Sequence, residues 1–320
     1  TEDNSNGTIT VITTNVEDNQ TLTLLLNDRT YTGSISNNST TITISSARLQ
    51  ELVDGTAYTI TTNVSDVAGN AAAQVSTTFT TNTTAPSINS ITPSWGSHLN
   101  STEDNSSGTV TVVTSNVEDG QTLTITLNET NYTGSISSNS VVITISASDL
   151  QALSEGTNTI TANVSDSAGN AASQSSTTFT YDKTSPSMAI TSSTVNSGDT
   201  SNDPIISLTF TSSESTSNFV VGDITISGGT LSDFTGEGTT YTAILTPSGD
   251  ATYTISVAQN TFTDSAGNNN SASNNFTWTL DSTSPTMTIT STTVSSGDTS
   301  NDSTINVTFT SNESTTNFVE

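Results

Sequence analysis

Along most of this 320-residue chain, apolar side chains fall at every second position with threonine or serine between them. Thr8-Ile9-Thr10-Val11-Ile12, Thr41-Ile42-Thr43-Ile44, Val141-Val142-Ile143-Thr144-Ile145 and Thr252-Tyr253-Thr254-Ile255-Ser256-Val257 show the period. In a strand that period buries one face and leaves the other to hydroxyls, and threonine is itself a good strand former. The pattern predicts strands over 86–92, 108–117, 121–127, 131–137, 141–146, 157–164 and 174–180. A second set is predicted over 188–195, 205–212, 223–227, 230–234, 240–246, 251–257 and 275–280. One short helical turn is expected at 147–153, with a counterpart at 47–52 that keeps the leucine spacing. Seven short strands per set, separated by regular turn signals, predict a sandwich of two sheets.

The pattern also repeats at long range. Thr1-Glu2-Asp3-Asn4-Ser5 returns as Thr102-Glu103-Asp104-Asn105-Ser106, and Gly198-Asp199-Thr200-Ser201-Asn202-Asp203 returns as Gly297-Asp298-Thr299-Ser300-Asn301-Asp302. Each period is about 100 residues, the size of one immunoglobulin-like sandwich. Prolines at Ala85-Pro86, Ser185-Pro186 and Ser284-Pro285 mark the linkers. The expected fold class is therefore all-β, with tandem immunoglobulin-like β-sandwich repeats arranged as beads on a string. The expected domains are a first-type repeat over 1–84 lacking its first strand, another over 85–185, a second-type repeat over 186–284, and the start of a further one over 285–320. Two readings of the incomplete ends stand: a window cut from a longer chain, or half-domains completed between subunits by strand donation, as in a self-assembled filament or surface layer.

Composition narrows the function. Serine and threonine exceed a third of the residues, which on its own would suit a disordered chain, but the alternation argues against disorder. Formal charge is -27, from 30 acidic residues against 3 basic ones. Nucleic acid and anionic membranes both require a basic face, which Arg29, Arg48 and Lys183 cannot supply. Most carboxylates must instead be solvated, bonded to backbone or bound to cations. Cysteine is absent, so disulfides brace nothing and calcium is the expected compensating brace. No window approaches the length of a membrane-spanning helix. Glu118-Asp119-Gly120-Gln121 aligns with Glu17-Asp18-Asn19-Gln20, and the exchange of Gly for Asn predicts positive φ in a tight hairpin turn.

One motif crosses both repeat types: Asp66-Val67-Ala68-Gly69-Asn70, Asp166-Ser167-Ala168-Gly169-Asn170 and Asp264-Ser265-Ala266-Gly267-Asn268. With the spacers Asp182-Lys183-Thr184-Ser185-Pro186 and Asp281-Ser282-Thr283-Ser284-Pro285, these turns resemble the bacterial Ig-like repeats of large surface adhesins and biofilm-associated proteins. The resemblance implies a stalk of sandwiches whose linkers carry calcium. It places Asp182 or Asp281 against the turn residue Asp166 or Asp264, with Asp66 as the earlier turn equivalent. The alternative is a plain Asx turn, in which Asp caps the backbone and Gly takes positive φ. Asn82 departs from the linker pattern, which puts a site there in doubt. The Gly198–Asp203 turn and its later copy are a weaker cation candidate, and Glu214 and Glu313, at equivalent positions of the second type, would join that cluster.

Catalysis finds no support. The single His98 is unrepeated, and no Cys-His or Ser-His-Asp set recurs per domain. Trp95 has two readings, a platform for a sugar ring or a hydrophobe packed between domains. The expected function is a non-enzymatic, extracellular, cell-surface stalk or fibre segment of an adhesin, stiffened by calcium. Its expected partners are other copies or further repeats of the same protein and a surface glycan or protein, with no nucleic acid and no membrane insertion. A glycan- or protein-recognition module is the competing class.

Overall fold

The structure is a computed structural model that describes residues 4–319. The chain divides into two compact units, Thr1–Lys183 and Thr184–Glu320. Each is built from short, mainly antiparallel sheets, as the alternation requires. Among the described residues no helix is long and apolar enough to cross a membrane.

The first unit opens with β1 (Gly7–Ile12), β2 (Thr21–Leu26), β3 (Arg29–Ser34), β4 (Ser39–Ile44), the short helix α1 (Ser46–Leu49), β5 (Ala57–Asn63) and β6 (Val75–Thr80). Strand β1 pairs with β4, and the facing sheet runs β3-β2-β5-β6. On β2, Leu22, Leu24 and Leu26 are buried while Thr21 and Leu25 face outward. The motif then recurs as β7 (Ser87–Pro93), β8 (His98–Asn100), β9 (Gly108–Ser115), β10 (Thr122–Leu127), β11 (Thr130–Ser135), β12 (Ser140–Ile145), helix α2 (Ala147–Gln151), β13 (Gly156–Asn163) and β14 (Ser175–Asp182). Its sheets run β12-β9-β7 and β11-β10-β13-β14-β8.

Comparing the two copies shows what an extra strand contributes. Strand β7 pairs along β9, whereas β1, the counterpart of β9, pairs only with β4 among the described residues. The second copy buries 20 hydrophobic residues in one cluster and the first only 8, with Ile12 left 81% exposed. Each buried aliphatic side chain contributes about 1.5–3 kcal/mol, so the first copy has the thinner core.

In the second unit, β15 (Met188–Ser192), β16 (Thr200–Ser201), β17 (Ile206–Thr216), β18 (Ile224–Ile226), β19 (Thr230–Thr246), β20 (Ala251–Val257) and β21 (Phe276–Leu280) form the sheets β15-β17-β19 and β16-β21-β20-β18. A further pair, β22 (Met287–Ser291) and β23 (Val307–Ser311), follows. Strand β19 doubles back on itself: Gly229 closely approaches Thr246, Gly236 approaches Thr240, and Phe234 stacks on Tyr241 at 5.8 Å. The two strands expected at 230–234 and 240–246 are thus the arms of one hairpin. Phe219 is edge-on to Phe234, Tyr241 and Phe262 at 5.1–5.7 Å and tilted against Phe210, making the aromatic centre of this core.

Two expectations need correction. The 118–121 turn has the positive φ expected, +91° at Gly120 and +69° at Asn19. It joins β9 to β10, however, which lie in different sheets, so it is a corner and not a hairpin. The corner is held by Gly120 donating to the Ile136 carbonyl and by Asp119 accepting from the Ser138 amide. Trp95 is neither an interdomain contact nor a sugar platform. It is 8% exposed inside the second copy's core and packs edge-on to Phe179 at 5.2 Å, because Gly108 leaves no Cβ beneath its ring.

Candidate metal centres at the Asp-x-Ala-Gly-Asn turns

All three Asp-x-Ala-Gly-Asn segments build the same object. Asp66, Asp166 and Asp264 each donate their backbone N–H to the carbonyl of the Asn four residues on, at 3.0–3.1 Å. Each glycine, at φ +86° to +92°, donates back to the Asp carbonyl. The side chains repeat the closure: the Asn backbone N–H donates to Oδ1 and its Nδ2 to Oδ2 of the same Asp, all at 2.7–2.9 Å. The motif is therefore an Asx turn with a second, side-chain lock. Both the Asp and the Asn are fixed by the turn itself, and the glycine by its left-handed φ.

Burial separates the three copies. Asp166 and Asp264 are 3% and 6% exposed, whereas Asp66 is half-buried. Hydrogen bonds from Asn70 hold the Asp66 carboxyl below its ordinary range. A carboxylate so buried must have its charge met by donors or a cation.

A glutamate accompanies each turn. Glu17 accepts from the Val67 amide at 3.1 Å, and Glu118 accepts from the Ser167 amide at 2.9 Å. That bond draws the Glu118 carboxyl below its ordinary value. In the second unit, Glu214 and Asp264 bring carboxylate oxygens within 4.8 Å of each other. The two ion pairs found among the described residues, from Arg29 and Arg48, both end on Glu51 in the first unit. Glu214 lies beside Asp264 although the linker-and-turn pattern pointed only to aspartates; its recurrence as Glu313 was the available signal.

The linker residues fall as follows. Asn82 lies in the first unit, and its Nδ2 donates to Asp166 Oδ2 at 3.1 Å while its carbonyl accepts from Asn170 Nδ2 at 2.9 Å. A turn thus receives the linker residue that precedes its own repeat. Asp182 ends β14, in register with Asn100 of β8. Asp281 accepts from the Thr283 amide at 3.2 Å within its own linker.

The chemistry of the Glu214–Asp264 pair suits a hard cation. Asp264 spends three acceptor positions on Asn268 and on the Ala266 amide, which leaves one of the roughly four lone-pair sites of a carboxylate. A divalent ion held by such oxygens is one physical answer to two carboxylates brought this close.

Residues 182–280 match the bacterial Ig-like domain family. No curated protein matches the chain. Among solved structures, it is similar to a calcium-stabilised adhesin with which an Antarctic bacterium reaches out and binds ice, at 19% identity and TM-score 0.41, covering 90% of this chain and 72% of the other. A 1.5-MDa bacterial ice-binding adhesin studied for host cell surface retention gives 18% and 0.40, over 88% and 92%. The bacterial integrin-binding protein invasin gives 15% and 0.38, over 89% and 62%. At these identities and scores no ligand or activity passes to this chain.

Proposed function

We propose that the chain, whose residues 182–280 match the bacterial Ig-like domain family, is a non-enzymatic segment of an extracellular stalk on a bacterial surface adhesin, stiffened by calcium at its second-type repeats. The observation that carries this reading is the fixed contact between a linker residue and the turn of the repeat it leads into, seen at Asn82 and Asp166. A joint hydrogen-bonded on both sides resists bending, and resistance to bending is what a spacer needs. Asp182 stands four residues before Pro186, as Asn82 stands four before Pro86. By sequence register alone Asp182 is the counterpart of Asn82, and a linker aspartate of that kind adds to the oxygen donors that calcium takes. Calcium there would supply positive charge that cancels carboxylate repulsion and ties linker to turn. By the same register Asp281 and Glu313 belong to the next centre of the series.

The alternation adds to the reading. Faces clad in threonine hydroxyls and a charge of -27 keep neighbouring stalks apart, as a projecting fibre requires. Small-angle scattering of the chain in calcium and in EDTA tests the proposal. An extended particle that gains flexibility on chelation is expected; identical profiles in both conditions would refute calcium stiffening.

A further inference from the structure

We infer that the first linker junction is built to work without a metal, with the side-chain amide of Asn82 occupying the place that a cation takes in the second-type repeats. The inference rests on the calcium reading above for its contrast, and on the first unit alone for its geometry.

Asp166 is as buried as Asp264 and sits in the same doubly locked turn. Three of its acceptor positions go to neutral donors, and here one of the three comes from the linker instead of the turn itself. Oδ1 takes the Asn170 amide at 2.7 Å, and Oδ2 takes Asn170 Nδ2 at 2.9 Å and Asn82 Nδ2 at 3.1 Å. The orientation of the Asn82 amide is set twice, because its Oδ1 accepts from the Thr84 backbone N–H at 3.2 Å. That bond turns the oxygen toward the linker and the N–H group toward Asp166. The accompanying Glu118 is committed to the Ser167 amide. A cation placed here would meet two N–H-bearing amides and one carboxylate without a free partner, a donor set that does not hold calcium. The buried charge is met by hydrogen bonds alone, which is the other way of keeping a carboxylate in the interior.

The difference lies in one residue of the linker: Asn82 where the later linkers carry Asp182 and Asp281. The chain then joins its repeats in two ways, one lock that ignores free calcium and others that respond to it. A stalk of this kind keeps part of its length stiff when calcium falls.

The test compares the full chain with N82D and D264N by calcium titration calorimetry and by proteolysis across residues 82–86 in calcium and in EDTA. Wild type should show linker cleavage at 82–86 that EDTA leaves unchanged within twofold. N82D should bind one calcium ion more than wild type, and its linker should be cut at least tenfold faster in EDTA than in calcium. D264N should bind one ion fewer, which reports on the calcium reading independently. If N82D gains no ion while D264N loses one, the inference falls and the calcium reading stands. If N82D gains an ion while D264N loses none, the inference stands and the calcium reading falls. Chelation that accelerates wild-type cleavage at 82–86 overturns the inference whatever the stoichiometry.

Discussion

Asp250 grips Ser282 at two points: Oδ1 accepts from the Ser282 backbone N–H at 2.9 Å and from its hydroxyl at 2.6 Å, while Oδ2 takes the Thr283 hydroxyl at 2.7 Å. Asp54 does the same upstream, accepting from the Thr83 amide at 2.6 Å and from the Thr84 hydroxyl. Glu155 accepts from the Lys183 amide at 3.1 Å. Each carboxylate belongs to the repeat before a linker and holds the residues just past its end.

These grips predict an acid-sensitive linker. Hydrogen bonds from Ser282 and Thr283 hold Asp250 below its ordinary range, and those from Thr84 and Thr83 do so for Asp54. A depressed folded value means that the bonds contribute fully above the ordinary carboxylate value near 4 and are lost as pH falls through the folded value. Proteolysis of the 82–86 and 281–285 linkers by an acid protease should therefore rise below about pH 4. The D54N/D250N chain should already be cut faster than wild type at pH 7 by a protease active at neutral pH; equal rates in variant and wild type would sink the idea.

The Tyr181 hydroxyl donates to the buried Asp104 at 2.7 Å. Tyr181→Phe removes the donor and leaves a buried carboxylate short of a partner, at a cost of about 1–3 kcal/mol in a urea melt of the second repeat. Burial, then Asp104, pushes the Tyr181 phenol up from its ordinary value. The bond thus contributes fully below pH 10 and is lost as pH rises through the raised folded value. An absorbance titration should show this tyrosine ionising only as the repeat unfolds.

Gly108→Ala would drive a methyl group into the Trp95 ring and toward Leu150. Overpacking of that kind costs about 1–3 kcal/mol. Trp95 emission should shift to the red in the variant, and a wild-type midpoint would show that the ring has room to move.

Calcium at a hundredfold excess over its dissociation constant should stabilise the second-type repeat by about 2.7 kcal/mol, a rise in melting temperature of roughly 10 °C or more. Glu214→Gln and Asp264→Asn should each abolish the increment. An increment that survives both changes places the ion elsewhere.

Period and turn chemistry made most strands legible, because a half-buried strand records its burial in its own residues. Leu22, Leu24 and Leu26 are an example. Strands His98–Asn100 and Thr200–Ser201 escaped notice, since two or three residues in parallel pairing carry no period. The Asp of the turn is legible as a candidate, whereas the part played by its Asn depends on the folded turn, where the two side chains close one ring of hydrogen bonds. Contact between Asn82 and Asp166 spans 84 residues, and only the fold brings them together.

Those two small parallel strands have a mechanical consequence. Strand β8 lies near the entry of its repeat and β14 runs to its exit, side by side and in the same direction; β16 and β21 repeat the arrangement. Tension applied through the linkers pulls such partners along their length in opposite senses. Every backbone bond between them is then loaded together, rather than one after another as when a hairpin is peeled. The repeats should yield abruptly, at high force, and as whole units.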